Sequence, residues 1–277
     1  MAGAPAREPG PVNALMPETV ERISSSSAVS FEDSWYDITS PEHFWMEWRR
    51  RATLAFFRRL GLPLDAPLRV LDVGGGHGVL RSQLEAATPW TVDLCDLNLR
   101  ALQAGASARG RSLLYDVFER AEAVRRDYDA VLLFDVIEHI QEPTPFVAAA
   151  ADHLRPGGWL LINVPAMNAF FSTYDTVIGH FRRYDEGSLA AELAPLPLEL
   201  VATRHWGVSL IPVLAARRAL LGNRVPMAEE RAGIVRTGCQ PPNPLSDALL
   251  RLAMVVETSM LPVSPYGASL LAAARKR

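Results

Sequence analysis

The sequence predicts an α/β protein: a doubly wound, mostly parallel seven-stranded sheet with an N-terminal helical lid and a C-terminal helical extension. Three observations carry this expectation. From Leu68 onward short aliphatic runs alternate with helical stretches, the interval that parallel strands joined by crossover helices require. Two of the runs, Ala130–Phe134 and Trp159–Ile162, are hydrophobic without a break, as strands buried on both faces should be. The first run ends in Gly74-Gly75-Gly76-His77-Gly78, a turn rich in the one residue that adopts positive φ freely.

Residues 1–30, with early proline and glycine and then Ser24–Ser27, read as a flexible tail. Residues 31–62 read as the helical lid. They carry Phe31, Trp35, Tyr36, Phe44, Trp45 and Trp48, and from Pro41 to Leu60 the apolar positions recur at helical spacing. Gly61 and Pro63 stop that helix. Residues 63–207 form the core, with strands near 68–73, 90–95, 111–115, 129–134 and 158–164. Its helices fall at about 78–87, 98–106, 117–126 and 144–154. An irregular stretch with a short helix follows at 166–184, then a helix at 186–194 and a strand at 198–206. Residues 208–277 are the extension, helical with breaks at Pro241, Pro242 and Pro244, returning to the sheet as a strand from Ser269 to Ala274.

Composition narrows the classes of function. Hydrophobic residues are 49% and charged residues 21% of the chain, an ordinary globular balance. The net charge of −3, from 28 basic and 31 acidic residues, argues against nucleic acid as a partner. Cys95 and Cys239 are the two cysteines and stand in no metal-ligand spacing, so neither a disulfide framework nor a zinc site is expected. The start of the chain has no apolar signal core, and no apolar run is long enough to span a bilayer. A cytoplasmic protein is expected, with Val208–Ala216 the one stretch suited to weak contact with a membrane surface. Oligomeric state stays open.

The sharpest motif is Val70-Leu71-Asp72-Val73-Gly74-Gly75-Gly76-His77-Gly78. A helix N-terminus behind such a turn offers unpaired N–H groups and a positive dipole end. A dinucleotide fingerprint starting at Gly74 would need a small residue at position 79, where Val79 stands. That spacing disfavours an NAD-dependent oxidoreductase. Asp96 follows the second strand about twenty residues later, where a carboxylate can accept ribose hydroxyls; the plainer reading is a turn-former. Asp116 follows Leu113-Leu114-Tyr115 and could equally be a helix cap. Then come Phe134-Asp135-Val136-Ile137-Glu138-His139-Ile140 and Leu154-Arg155-Pro156-Gly157-Gly158-Trp159-Leu160.

In this order and spacing, across about residues 68–165, these motifs resemble the class I S-adenosyl-L-methionine (SAM) dependent methyltransferases. The resemblance implies a Rossmann-like core, SAM as cofactor and S-adenosylhomocysteine (SAH) as product. It also implies that Asp72, Gly74, Gly75 and Gly76 cradle the cofactor, that Asp96 and Leu97 meet its ribose, and that Asp116 and Val117 lie near its adenine. Asp135 and Val136 would stand at the active-site rim, with Trp45 and Arg49 closing over from the lid. His43-Phe44-Trp45, Gly179-His180-Phe181-Arg182-Arg183-Tyr184 and Pro265–Leu270 resemble a bacterial type 11/12-like subgroup. His77 departs from the family pattern, where a smaller residue is common.

Methyl transfer from a sulfonium is an in-line displacement, so alignment supplies much of the acceleration. A hydroxyl or ammonium acceptor also needs a base. The candidates are His180, in the segment expected to roof the acceptor, His139 beyond the fourth strand, and Tyr184. His139 could instead tie down the loop beside Glu138. Tyr174 and Asp175 could bond an acceptor, and Arg182 and Arg183 could clamp a carboxylate or phosphate or form a solvated turn. Trp45 and Arg49 could shield a sulfonium and pair a carboxylate, or belong to an amphipathic helix packed on the core. No metal is expected, because no compact His/Asp/Glu set stands out. The function expected is methylation of O or N, less readily C, of a small-molecule metabolite. A macromolecule methyltransferase, disfavoured by the charge, and a SAM-binding protein without transfer activity are the alternatives.

Overall fold

The computed structural model describes residues 20–24, 41–105, 109–239, 243–260 and 264–277. Burying uninterrupted apolar runs on both faces places them at the centre of a single sheet. Its strands are β1 (Glu21–Arg22), β2 (Arg69–Val73), β3 (Thr91–Asp96), β4 (Ser112–Leu114), β5 (Tyr128–Phe134), β6 (Leu154–Pro165), β7 (Leu198–Trp206) and β8 (Ser269–Lys276). Their order is β1-β4-β3-β2-β5-β6-β8-β7. Every pairing from β1 to β6 is parallel, and β8 runs antiparallel to both neighbours. The chain winds outward one way through β3 and β4, then the other way through β5 and β6. The switch between β2 and β5 opens a crevice at the carboxyl ends of the strands, where such sheets bind ligands.

The helices are α1 (Phe44–Leu60), α2 (Val79–Ala87), α3 (Leu99–Ala104), α4 (Pro143–Ala151), α5 (Thr173–Val177), α6 (Glu186–Leu193), α7 (Ile211–Leu221), α8 (Ala228–Cys239) and α9 (Pro244–Met260). Neighbouring strand residues face opposite ways, so each strand feeds two cores. Val70, Leu132 and Leu161 pack with Trp48, Leu84 and Met254 of α1, α2 and α9. Leu71, Val131 and Ile162 pack with Val147 and Leu189 of α4 and α6. Helix α1 starts where the His43 ring accepts the Trp45 N–H and stops at Gly61, whose φ of 71° suits the left-handed cap. Among the described residues no helix is long and apolar enough to cross a membrane.

Three expectations change. Among the described residues the sheet has eight strands rather than seven, because Glu21 and Arg22, in the stretch read as a tail, pair in parallel with the open edge of β4; an unpaired strand edge is a template for such addition. The helix expected over 117–126 is a single 3₁₀ turn, Val117–Glu119. Arg120 takes a left-handed φ of 48°, and the Tyr115 hydroxyl accepts the Ala121 N–H that a continuing helix would need. Strand β6 starts at Leu154, ahead of the expected 158, and pairs with Tyr128 there. The lid aromatics Phe31, Trp35 and Tyr36, and the breaks at Pro241 and Pro242, lie outside the described residues.

Asp93 ties this frame together. Its buried carboxylate accepts from Arg111 Nη2 at 2.7 Å and from the Tyr128 hydroxyl at 2.8 Å. Burial works to raise its pKa, but the Arg111 and Tyr128 hydrogen bonds outweigh it and hold the carboxyl below its ordinary value. Asp93→Asn should therefore cost about 2 kcal/mol at neutral pH. A depressed carboxyl stabilises the fold above its ordinary pKa and loses that contribution as pH falls through the folded value. The gap between wild type and Asp93→Asn in urea midpoint should thus narrow as pH drops from about 5 to about 2. A gap independent of pH would remove the ion pair from the account.

Candidate active site

Strand β2 ends at Val73, and Gly74, Gly76 and Gly78 follow with φ of 70°, 59° and 77°. The loop is held to β3 by two backbone donors. Gly74 N–H reaches Cys95 O at 2.8 Å, and Gly76 N–H reaches Asp96 Oδ2 at 2.9 Å. Asp96 Oδ1 accepts the Asn98 N–H at 2.8 Å. Burial raises the Asp96 carboxyl, with these backbone donors opposing. Gly75 is constrained by space rather than by φ. A Cβ there would lie 2.4 Å from Leu94 Cδ1 and 2.5 Å from Asp72 Oδ2. Asp72 is fully enclosed, with Oδ2 making no hydrogen bond, and burial pushes it up to about 7 against the opposing charges of Arg49 and Arg81. Helix α2 opens behind the loop with no side-chain cap.

The next strand end is Asp135, which holds a left-handed φ of 58°. One carboxylate oxygen accepts from Arg49 Nη1 of α1 at 2.6 Å, the other from Asn163 Nδ2 at 2.6 Å. Asn163 Oδ1 in turn accepts from Trp206 Nε1 at 2.9 Å, and Trp206 packs on Trp45 with ring centroids 4.7 Å apart. Helix α1 thus serves two surroundings. Trp48, Phe56 and Phe57 belong to the core, while Trp45 and Arg49 reach the crevice, where Arg49 is already paired with Asp135.

One cavity of about 600 Å³ runs outward from the glycine loop. Trp45, Arg49, Asp72 and Gly74–Gly76 line it, as do Asp96, Leu97, Asp116 and Val117. Asp135 and Val136 complete that end. Asp116 also caps the 3₁₀ turn through the Phe118 N–H at 2.9 Å. All twelve residues singled out for the cofactor thus meet in one space.

The opposite wall is built by α5 and the turn after it. Asp175 is buried and accepts the Ser172 N–H at 2.9 Å and Arg183 Nε at 2.7 Å. His180 Nδ1 lies 3.2 Å from Asp175 Oδ1. Burial alone would raise the Asp175 carboxyl, but His180 and Arg183 hold it well below the usual range. Burial depresses the pKa of His180, with Asp175 opposing. His139 packs edge-on against His180, centroids 4.6 Å apart, and burial together with that neighbour lowers it to about 3. Glu138 is fully buried, with no hydrogen bond to either side-chain oxygen, and Oε1 lies 3.8 Å from His180 Nε2. Burial and the nearby Asp135 charge push its carboxyl well up.

Two expectations about this wall need correction. A compact acidic and imidazole set does exist, because the ligand atoms of Glu138, His139 and His180 lie within 4.8 Å of one another, close enough to hold a metal ion. Glu138 and His139 are neighbours on one turn, and the fold brings the distant His180 to them. Tyr184 does not line the cavity: it is buried in the core, its hydroxyl 3.4 Å from the Ile137 carbonyl. Arg182 is likewise spent on the Gln141 carbonyl and Glu192. Tyr174 and Arg183 do reach the cavity, with Arg183 fastened to Asp175 and to the Ala166 carbonyl. Sequence reasoning missed Arg217 of α7 and Arg231 of α8 on the same wall; neither sits in a motif.

Gly75→Ala is a local test of the loop. Its methyl would have to displace Leu94 or Asp72. The expected result is a stability loss of about 1–3 kcal/mol and weakened binding of whatever occupies the loop, read by thermal melting and ligand titration.

A methyltransferase-domain family model matches residues 45–209. The chain belongs to that family. The methyltransferase resembles the ubiquinone biosynthesis O-methyltransferase of Thiobacillus denitrificans, 32% identical over 112 residues, which is 38% of this chain and 48% of that protein. The Shewanella pealeana protein of the same name is 32% identical over 138 residues, covering 47% and 53% of the two chains. The chain thus spans about half the length of the curated relatives it matches. Among solved structures, a chain of the Haloferax volcanii complex between the Trm112 methyltransferase activator and a methyltransferase superposes with a TM-score of 0.56 at 18% identity, covering 90% of this chain and 99% of that one. The Haemonchus contortus phosphoethanolamine N-methyltransferase 2, solved with SAH, gives 0.51 at 18%, covering 90% and 61%. These neighbours share the class I fold of the SAM-dependent methyltransferases.

Proposed function

We propose that this methyltransferase moves the methyl group of SAM to an oxygen of a small-molecule acceptor, with His180 as the general base. The observation that carries the reading is one cavity lined by the glycine loop and Asp96 and also by His180, which Asp175 backs from behind. The O-methyltransferase names of the relatives favour oxygen over nitrogen or carbon.

The cradle fits SAM. Asp96 presents a carboxylate at the strand end where ribose hydroxyls are bound in such sheets. Asp72 Oδ2 is a buried acceptor without a partner, and Gly75 leaves backbone exposed where a side chain would not fit. Leu97 and Val117 supply apolar faces for the adenine, with Asp116 beside them. When bound, SAM supplies a methyl group on a sulfonium, already activated to leave without proton transfer.

The chain's own work is then alignment and deprotonation. His180 is neutral at pH 7, because burial disfavours its cation. With Nδ1–H donated to Asp175, Nε2 carries the lone pair that takes the acceptor hydroxyl proton. Asp175 fixes the tautomer and stabilises the imidazolium that results, the role a buried aspartate plays beside any histidine base. Burial and the Asp135 charge push the Glu138 carboxyl well up, and in its protonated form it would donate a hydrogen bond toward the acceptor oxygen. Residues of α1, α7 and α8 line the cavity and exclude water from it. A net charge of −3 leaves a small molecule as the partner rather than nucleic acid.

The test is calorimetric titration with SAM, SAH and NADH, then transfer of labelled methyl to a panel of phenols and catechols. Micromolar SAH binding and label in an acid-stable methyl ether are expected. Binding of NADH in preference to SAH would sink the reading, and SAH binding with label only on nitrogen would sink the oxygen assignment.

A further inference from the structure

We infer that the groove between α1 and the edge strand β7 binds a phosphate group, held between Arg59 and Arg204. This groove is separate from the large cavity. It encloses about 260 Å³ and is lined by Phe56, Arg59 and Leu60 of α1 and by Ala202, Thr203 and Arg204 of β7. Alternate residues of a strand face the same way, so Arg204 is on the side of the sheet where Ala202 and Trp206 pack with α1. Thr203 is on the other side, where its hydroxyl is spent on Glu186. Arg59 stands in the last turn of α1, about 15 Å along the helix axis from Arg49.

The two guanidinium groups come from separate elements yet share this small space. Three other arginines that bridge elements each meet a carboxylate: Arg49 meets Asp135, Arg111 meets Asp93 and Arg183 meets Asp175. Arg59 and Arg204 make no hydrogen bond or ion pair among the described residues, and the Arg59 charge acts on Arg204. The carboxylate among those residues whose charge reaches Arg204 is Glu257, and it is turned to the Gly207 and Ser209 N–H groups at 2.5 and 3.2 Å. Arg204 is half-buried, and burial together with the Arg59 charge lowers its pKa. Two like charges drawn together out of water are costly unless an anion sits between them. One guanidinium fork fills both oxygens of a planar carboxylate. A phosphate has three oxygens free on an ester and up to two negative charges, so it can face both arginines at once. Phe56, Leu60 and Ala202 give the groove an apolar floor for the organic part of a phosphate ester. Bound there, the phosphate ties the end of α1 to β7, the two elements whose Trp45 and Trp206 rings pack on each other beside the cavity.

Inorganic phosphate, phenyl phosphate, benzoate and benzyl alcohol are titrated calorimetrically into the whole protein. The proteins are wild type, Arg59→Gln, Arg204→Gln, the double glutamine variant and Arg58→Gln as a control from the same turn. Circular dichroism and melting without phosphate check each fold. Phenyl phosphate should bind best and inorganic phosphate next, with benzoate and benzyl alcohol weakest. Each single variant should weaken phenyl phosphate about tenfold, and the double variant should lose it; Arg58→Gln should change nothing. Without phosphate the single variants should melt no lower than wild type, because each removes a repulsion. With phosphate added, wild type should gain the most. Vesicles of phosphatidic acid, compared with phosphatidylcholine, separate two sources of the group. Retention on phosphatidic acid that the double variant loses makes the ligand a lipid headgroup. Binding of phenyl phosphate without retention makes it a soluble ester. A double variant that binds phenyl phosphate as tightly as wild type would overturn the inference, as would benzoate binding equal to phenyl phosphate. So would a single variant that melts well below wild type in the absence of phosphate, for that arginine would then hold the fold rather than a ligand.

Discussion

Asp96→Ala should lose SAH binding by about a hundredfold or more while the protein stays folded. Two hydrogen bonds from ribose hydroxyls to one carboxylate are together worth about 3 kcal/mol, which is that ratio. The substitution also frees the Gly76 and Asn98 N–H groups that Asp96 now holds, so the loop itself loosens. Calorimetry with SAH, run beside a melting curve, checks it. Asp96→Asn keeps one acceptor oxygen and should fall between wild type and alanine. An alanine variant that binds SAH within a few-fold of wild type would show that Asp96 shapes the turn and nothing more.

The second large effect is expected at His180. His180→Gln should slow methyl transfer by about a thousandfold, the usual contribution of a positioned base, and leave SAH affinity intact. The pH profile has a definite sign. The base works only when unprotonated, so the rate rises with pH through the His180 pKa. Burial holds that pKa below its ordinary value, and activity should persist at pH values below about 6.5, where a free imidazole is already charged. An unchanged rate in His180→Gln, measured with labelled SAM on the best phenol of the panel, would mean that alignment alone suffices and no base is used. A rate lost together with SAH affinity would instead make His180 part of the structural wall.

The parts of this molecule that could be read in advance share a physical origin: each is a local rule acting along a continuous stretch. The unbroken apolar runs at 130–134 and 159–162 could only be central strands. The glycines at 74, 76 and 78 take positive φ at the place where a strand must turn into a helix. Asp96 and Asp135 could be placed because strand ends recur at a regular interval. Where local propensity was the sole guide, the reading slipped. The stretch 117–126 has helical composition, yet a left-handed Arg120 and the Tyr115 hydroxyl stop it after one turn. Tyr184 lay in a promising motif, but its side chain turns into the core instead of the cavity.

By itself the sequence determined the doubly wound sheet, the glycine loop and the row of acids at the strand ends, because each depends on neighbours within a turn or a strand. Tertiary structure alone decided the rest of the site. It set the turn bearing Glu138 and His139 against the distant His180, and carried Arg217 and Arg231 from α7 and α8 onto α5. These groups are contributed by separate elements, and their meeting depends on how helices pack across the crevice, which no spacing along the chain encodes.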